Sequence, residues 1–296
     1  MPPTLSSLDT WTFFLALFII FLVASTLRLI AILPSRQFRN NPFRRQPAAT
    51  RVFIVLGSGG HTHEMFYLLR DLDTRKYTHR TYVVSSGDAF SAQRAAEFEK
   101  GLEGRERERE RESALGNRKI QSEAKGSIIN GVEKKREREA ARQNERPPCT
   151  GPDHYNITTL HRARAIHQSL LTTPFTSILT LLSSFGPLLA APPLLPNAPP
   201  TTPYEAAAQD LPDLIITNGP ATAVIVVLAS LILKFFDIRG ASSRGKCRTV
   251  YVESFARVTS LSLSGRLLVK VVDRFVVQWA ELEGRGGRAE FWGVLV

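Results

Sequence analysis

Residues 52–65 read VFIVLGSGGHTHEM, and their reading decides the fold. Five apolar residues, Val52 to Leu56, run without a break into Gly57-Ser58-Gly59-Gly60, and a helical pattern follows. An uninterrupted apolar run bounded by glycines is the mark of a strand buried on both faces, as in a parallel sheet. The glycines allow a tight turn and close approach of the backbone. The following helix then aims its free N–H groups and positive dipole end at an anion. The stretch therefore reads as a phosphate-facing strand–loop–helix unit.

Two familiar uses of such a loop fit poorly. The dinucleotide fingerprint G-x-G-x-x-G needs glycine at its sixth position, where this chain has Thr62. It also wants an acidic residue at the end of the next strand, and that strand finishes VVSSGD, with Asp88 better placed as a helix cap. A P-loop needs lysine after its last glycine, and His61 stands there.

Further along the chain, strand and helix signals alternate. HEMFYLLRDL (63–72) carries a helical apolar stripe, RTYVVSS (80–86) is a second strand, and SAQRAAEFEK (91–100) is a short helix capped by Asp88 or Ser91. HRARAIHQSLLTTPFTSILTLLSSF (161–185) is helical, with a break or kink at Pro174. DLIITNGP (213–220), RTVYVES (248–254) and DRFVVQW (273–279) are strands, and residues 262–270 form a helix. ATAVIVVLASLILKFF (221–236) is apolar all round; at this length it reads as a buried helix rather than a second span. This is the pattern of an α/β domain with a mostly parallel sheet and at least five strands. In such sheets ligands lie at the carboxyl ends of the strands, here GSGGHT, NGP and ESFAR.

Two stretches interrupt the pattern. Residues 101–146 include EGRERERERES and EKKREREAARQNER, with alternating charge and almost no apolar face, and are expected to be a solvated, disordered insertion with at most transient helix. Its glutamates nearly balance its basic residues, which argues against nucleic-acid binding. Residues 186–212 are proline-rich and are expected to be a second insertion without helix.

Before the domain, residues 11–33 read WTFFLALFIIFLVASTLRLIAIL. As a helix this run reaches about 34 Å, enough for a hydrocarbon core of about 30 Å. Arg28 can snorkel to the head groups at one end, and Trp11 sits at the other. No Lys or Arg precedes the run, whereas Arg36, Arg39, Arg44, Arg45 and Arg51 follow it. The organisation expected is a lumenal N-terminus (1–10), a retained transmembrane anchor (11–33), a basic linker (34–50) and a cytosolic domain (51–296).

The net charge is +11, which favours anionic partners. Cys149 and Cys247 form no CxxC pair, and His61 and His63 have no third ligand nearby, so no metal site is expected. His61 is the one residue near the loop that can move a proton near neutral pH. Glu253, at another strand end, can orient a partner, bind a sugar hydroxyl, act as a base, or simply pair with Arg257.

Five motifs in order carry a family resemblance: GSGGHTHEMFYLL (57–69), RARAIHQS (162–169), LPDLIITNGP (211–220), VYVESFARVTSLSLSGRLL (250–268) and DRFVVQWAEL (273–282). Together with the N-terminal anchor they resemble the membrane-anchor subunit of the two-part N-acetylglucosaminyltransferase of the dolichol pathway. The resemblance implies a Rossmann-like half of a GT-B glycosyltransferase, the acceptor side, split from a soluble partner that carries most of the UDP-GlcNAc site. The complex would add the second GlcNAc, β-1,4, to GlcNAc-diphosphodolichol on the cytosolic face of the endoplasmic reticulum. UDP-GlcNAc would be the donor, with no prosthetic group and no nucleic-acid partner. Without the anchor and insertions about 180 residues remain, one domain, so the chain is expected to be incomplete as a catalyst.

Carried over residue by residue, Gly57, Ser58, Gly59, Gly60, His61 and Thr62 would shape the pocket for the acceptor diphosphate. Asn218, Gly219 and Pro220 would form a neighbouring wall, with Glu253, Ser254 and Arg257 at the cleft. The base would be His61 or, second, Glu253. Departures from the family are Ile166-His167 before Gln168-Ser169, the two insertions, and the glycine-rich EGRGGRAEFWG (283–293). The competing functions are a non-catalytic scaffold that only recruits a soluble enzyme, and a membrane-tethered dinucleotide enzyme.

Overall fold

The computed structural model describes residues 7–34, 49–123, 147–164, 172–192, 199–219 and 221–295. Most of the linker, Ile166-His167 with Gln168-Ser169, Pro220 and parts of both insertions lie outside them.

Seven parallel strands form one sheet in the order β3-β2-β1-β4-β5-β6-β7. They are β1 (Arg51–Val55), β2 (His79–Ser85), β3 (Tyr155–Leu160), β4 (Leu214–Asn218), β5 (Arg248–Val252), β6 (Arg274–Val277) and β7 (Ala289–Phe291). The apolar run of the opening stretch is the centre of this sheet, and every residue of β1 is buried. α2 (Gly60–Leu68) and α3 (Ala89–Glu123) cover one face, where Met65, Leu69 and Ala95 pack on Val52, Ile54 and Tyr82. α4 (Thr173–Leu189) and α6 (Ala221–Phe235) cover the other, with Leu188, Val226, Ala229 and Leu233 on Phe53, Val55 and Ile215. α7 (Leu263–Leu268) extends that layer over Tyr251 and Phe275. The strand order reverses between β1 and β4, so the loops that leave them part to opposite faces and open a crevice.

α1 (Ser7–Ile32) precedes the domain, and its stretch Thr10–Ile32, mean hydropathy 2.6, is long and apolar enough to cross a membrane. Arg28 is bonded within the chain. It donates from Nε to the Phe235 carbonyl at 2.9 Å and from Nη2 to that of Lys234 at 2.8 Å. These carbonyls lie in the last turn of α6, where that of Lys234 also accepts from the Asp237 N–H at 3.2 Å, so α1 caps the end of that helix. α6 itself buries Ala223, Val226, Val227, Ala229 and Leu233, as a core helix does.

The charged tract corrects the expectation of disorder in its first part, because α3 runs on to Glu123. Ion pairs at helical spacing, Glu103–Arg107 and Glu106–Arg109, lace it together. Leu102 and Glu106 are buried, and Arg105 donates to the Arg70 carbonyl, so the extension is also tied to the domain.

The proline-rich stretch is likewise not a helix-free insertion. α4 continues through Pro187 to Leu189, and α5 (Pro203–Ala208) starts with proline in its first turn, where the missing N–H costs nothing, and Thr202 as N-cap. Leu188, Ala191, Ala208 and Leu211 belong to the core. Buried Arg51 holds the segment, donating to the carbonyls of Pro187, Leu188 and Asp210. Pro174 stands in the first turn of α4 and so marks a helix start rather than a mid-helix kink. β7 was not foreseen.

His79 gives the fold a pH dependence. Burial, with Arg51, Arg80 and His154 nearby, lowers its pKa to about 3. The folded state keeps it neutral, while the unfolded chain takes up a proton at about pH 6.5. Its contribution is complete above about pH 6.5 and is lost as the pH falls toward 3, with a slope of at most about 1.4 kcal/mol per pH unit. Denaturant midpoints compared at pH 7 and pH 4.5 should fall less for His79→Gln than for the native chain.

Candidate active site at the switch point of the sheet

A cleft of about 780 Å³ lies at the carboxyl ends of β1, β4 and β5. It brings together Gly57, Ser58, His61, Asn218, Gly219, Glu253, Ser254 and Arg257, eight of the residues singled out from sequence. Gly59, Gly60 and Thr62 do not line it. Gly59, at φ +60°, is the N-cap of α2 and has no side chain to accept from the first turn. Thr62 is buried and fastens the loop: its hydroxyl bonds the Gly57 carbonyl and meets Ser91 Oγ at 2.7 Å. Asp88 accepts from the Ser91 N–H and hydroxyl and so caps α3, as its position suggested.

His61 is held from three sides. A Cβ built on Gly57 would come within 2.6 Å of His61 Cβ, and one on Gly219 within 2.9 Å of Cγ, so the ring packs against two glycine backbones. Asn218 Nδ2 donates to the His61 carbonyl at 2.7 Å. The side chain is 31% exposed, on the cleft. Gly219 has a second reason to be glycine, its φ of +77°. Gly219→Ala therefore meets both backbone strain and the imidazole. It should cost about 1–3 kcal/mol of stability, read by thermal unfolding, and shift the ring enough to slow the chemistry more than the stability loss accounts for.

Glu253 does not pair with Arg257. Its carboxylate is buried and already committed, accepting from the Ser262 N–H at 3.1 Å, the Ser262 hydroxyl at 3.0 Å and the Ser254 N–H at 3.3 Å. Ser262 in turn caps α7 through Gly265 N at 2.9 Å. Tyr251 OH bridges the Gly219 carbonyl and Ser262; burial first, and then Glu253, push its phenol up. Glu253 thus ties the loop 254–262 onto the end of β5. A carboxylate with both oxygens engaged is a brace for the cleft rather than a free base.

The structure adds residues that sequence reading missed. Arg162 and Arg164, inside a motif already quoted, face the same cleft as Arg257, and none of the three is ion-paired among the described residues. Glu64 lies behind His61. Its position three residues along a helix from a candidate base was a signal available in the sequence. The lining also includes the apolar residues Val224, Ile225, Leu263 and Leu267, beside Ser85, Ser177, Thr222 and Ser264.

A glycine loop, three arginines without an ion pair among the described residues and a histidine stand at the switch point of a Rossmann-like α/β domain, which is joined to a hydrophobic N-terminal helix. The family model described as oligosaccharide biosynthesis protein Alg14 like matches residues 52–132 and 115–295, and the chain belongs to the Alg14 family. It is 38% identical over 267 residues to a protein of Aspergillus fumigatus, covering 78% of this chain and 100% of that one. It is 33% identical over 253 residues to one of Schizosaccharomyces pombe, covering 85% and 86%. A human protein is 27% identical over 245 residues, 83% and 82%. All three relatives are named UDP-N-acetylglucosamine transferase subunit. No solved structure matches the chain significantly.

Proposed function

We propose that this chain is the acceptor-binding, membrane-anchored half of a two-chain GT-B N-acetylglucosaminyltransferase. It adds the second GlcNAc, β-1,4, to GlcNAc-diphosphodolichol on the cytosolic face of the endoplasmic reticulum, and it recruits a soluble subunit that brings most of the UDP-GlcNAc site. The relatives' names supply the donor and the word subunit. The observation that carries the acceptor assignment is the set Arg162, Arg164 and Arg257 around the glycine loop. Three guanidinium groups without an ion pair among the described residues, and a helix N-terminus, suit a ligand with several negative charges, such as a diphosphate. Val224, Ile225, Leu263 and Leu267 in the cleft and the apolar α1 suit an acceptor delivered on a lipid.

Gly57 and Ser58 face the diphosphate, Gly59, Gly60 and Thr62 hold the shape of their loop from outside the cleft, and Asn218 and Gly219 form the neighbouring wall. Ser254 and Arg257 stand at the cleft. His61 takes the proton from the acceptor 4-hydroxyl as that oxygen bonds C1 of the donor sugar and the bond from C1 to UDP breaks. Glu253 supports the loop that carries Ser254 and Arg257.

Direct binding tests the assignment. This chain alone, in lipid nanodiscs, should bind GlcNAc-diphosphodolichol but not UDP-GlcNAc at comparable concentration. Replacing any one of the three arginines by alanine should weaken acceptor binding about tenfold or more. Tight UDP-GlcNAc binding with no acceptor binding would overturn it.

A further inference from the structure

Glu64 stands one turn after His61 on α2, with Oε2 3.6 Å from His61 Nδ1. Its other oxygen, Oε1, accepts from Ser254 Oγ at 2.9 Å. The Ser254 hydroxyl oxygen itself accepts from the Ala256 N–H, which leaves its hydrogen for Glu64. The carboxylate is thereby held between α2 and the loop after β5. His61 Nδ1 is buried and has no hydrogen-bond partner among the described residues, although the side chain as a whole keeps 31% exposure. The nitrogen turned inward therefore faces Glu64, and Nε2 is the nitrogen left to the cleft.

A neutral imidazole carries one proton on either nitrogen, and the neighbour of one nitrogen decides which. A carboxylate accepts only, so it favours the proton on Nδ1 and leaves the Nε2 lone pair free. At 3.6 Å the contact is longer than a hydrogen bond, as contacts of catalytic groups often are before substrate is bound. Gly57 and Gly219 against the ring, and Asn218 on the His61 carbonyl, leave little freedom for the imidazole to turn away.

We propose that Glu64 is a positioning residue that sets the tautomer and orientation of His61 for sugar transfer. The inference rests on the reading of His61 as the base. Glu64→Gln keeps the size and the acceptor for Ser254 but turns an N–H toward Nδ1, which selects the wrong tautomer. In the full complex with its soluble subunit, kcat should fall about 10–100-fold. KM for both substrates and the amount of soluble subunit recruited should stay within twofold. Adding Glu64→Gln to His61→Ala should change the residual rate less than twofold, because a residue that acts through His61 has nothing left to act on. Ser254→Ala, which frees the carboxylate without altering α2, should lower kcat several-fold by the same route.

Unchanged kcat in Glu64→Gln beside a slow His61→Ala would overturn this inference and leave the base reading standing. So would a rise in KM alone, or losses that multiply in the double variant. Full activity of His61→Ala would overturn the base reading itself and this inference with it. Should Glu64→Gln fail to recruit the soluble subunit, unchanged kcat in Ser254→Ala decides against the proposal.

Discussion

His61→Ala is expected to lower kcat at least about a hundredfold while leaving the fold and recruitment of the soluble subunit intact. A positioned general base contributes about 10²–10⁴ in rate. The geometry supports a loss within that range for three reasons. The ring is pinned between two glycine backbones, so it is already oriented. It keeps 31% exposure and lines the cleft that Arg162, Arg164 and Arg257 share. The alternative carboxylate, Glu253, is buried and bonded to Ser254 and Ser262. The exposed ring edge makes little contribution to the core, so thermal unfolding of the variant should match the native chain. Steady-state kinetics of the complex check the prediction: kcat falls and KM for the acceptor does not rise.

The second large effect is on stability. Glu99→Ala should cost about 3–5 kcal/mol, because it strands a buried guanidinium. Arg80 and Glu99 are essentially unexposed and meet through two bonds, Nε to Oε1 at 2.6 Å and Nη2 to Oε2 at 2.8 Å. Tyr82 OH donates to the same carboxylate at 2.7 Å. Burial works against the Arg80 charge, and the Glu99 bonds outweigh it, so its pKa is raised. Arg80 Nη1 also donates to the carbonyls of Tyr77 and Cys149, which fixes the approach to β2 and the chain segment before β3. Removing Glu99 leaves that charge with carbonyls alone. Urea unfolding measures the loss. Replacing both partners together, Arg80→Met with Glu99→Leu, should recover most of it, since the desolvation cost then disappears with the charges.

The centre of the sheet was legible because β1 and β4 are buried on both faces and carry nearly unbroken apolar runs with glycine turns at their ends. The site was legible for the same reason: in a parallel sheet the loaded strand ends fall together, and Gly57, Asn218 and Glu253 did. What stayed hidden depended on tertiary partners. Alternating Arg and Glu after residue 101 looks like a chain with nothing to bury, yet i,i+4 pairing and two buried positions, Leu102 and Glu106, suffice to extend α3. Proline density suggested an excursion at 186–212, but α4 runs on through Pro187, Pro203 falls in the first turn of α5, and Arg51 bonds the backbone around them. The fate of Glu253 could not be read either, since it turns on Ser262, nine residues away, folding back over it.

Under the proposed function this chain supplies part of the active site and is more than a tether. The most direct measurement is GlcNAc transfer from UDP-GlcNAc to GlcNAc-diphosphodolichol by the soluble subunit held at the membrane on an unrelated transmembrane helix, with this chain absent. No transfer is expected until this chain is added, however well the soluble subunit is anchored. Full transfer by the artificially tethered subunit alone would contradict the proposal.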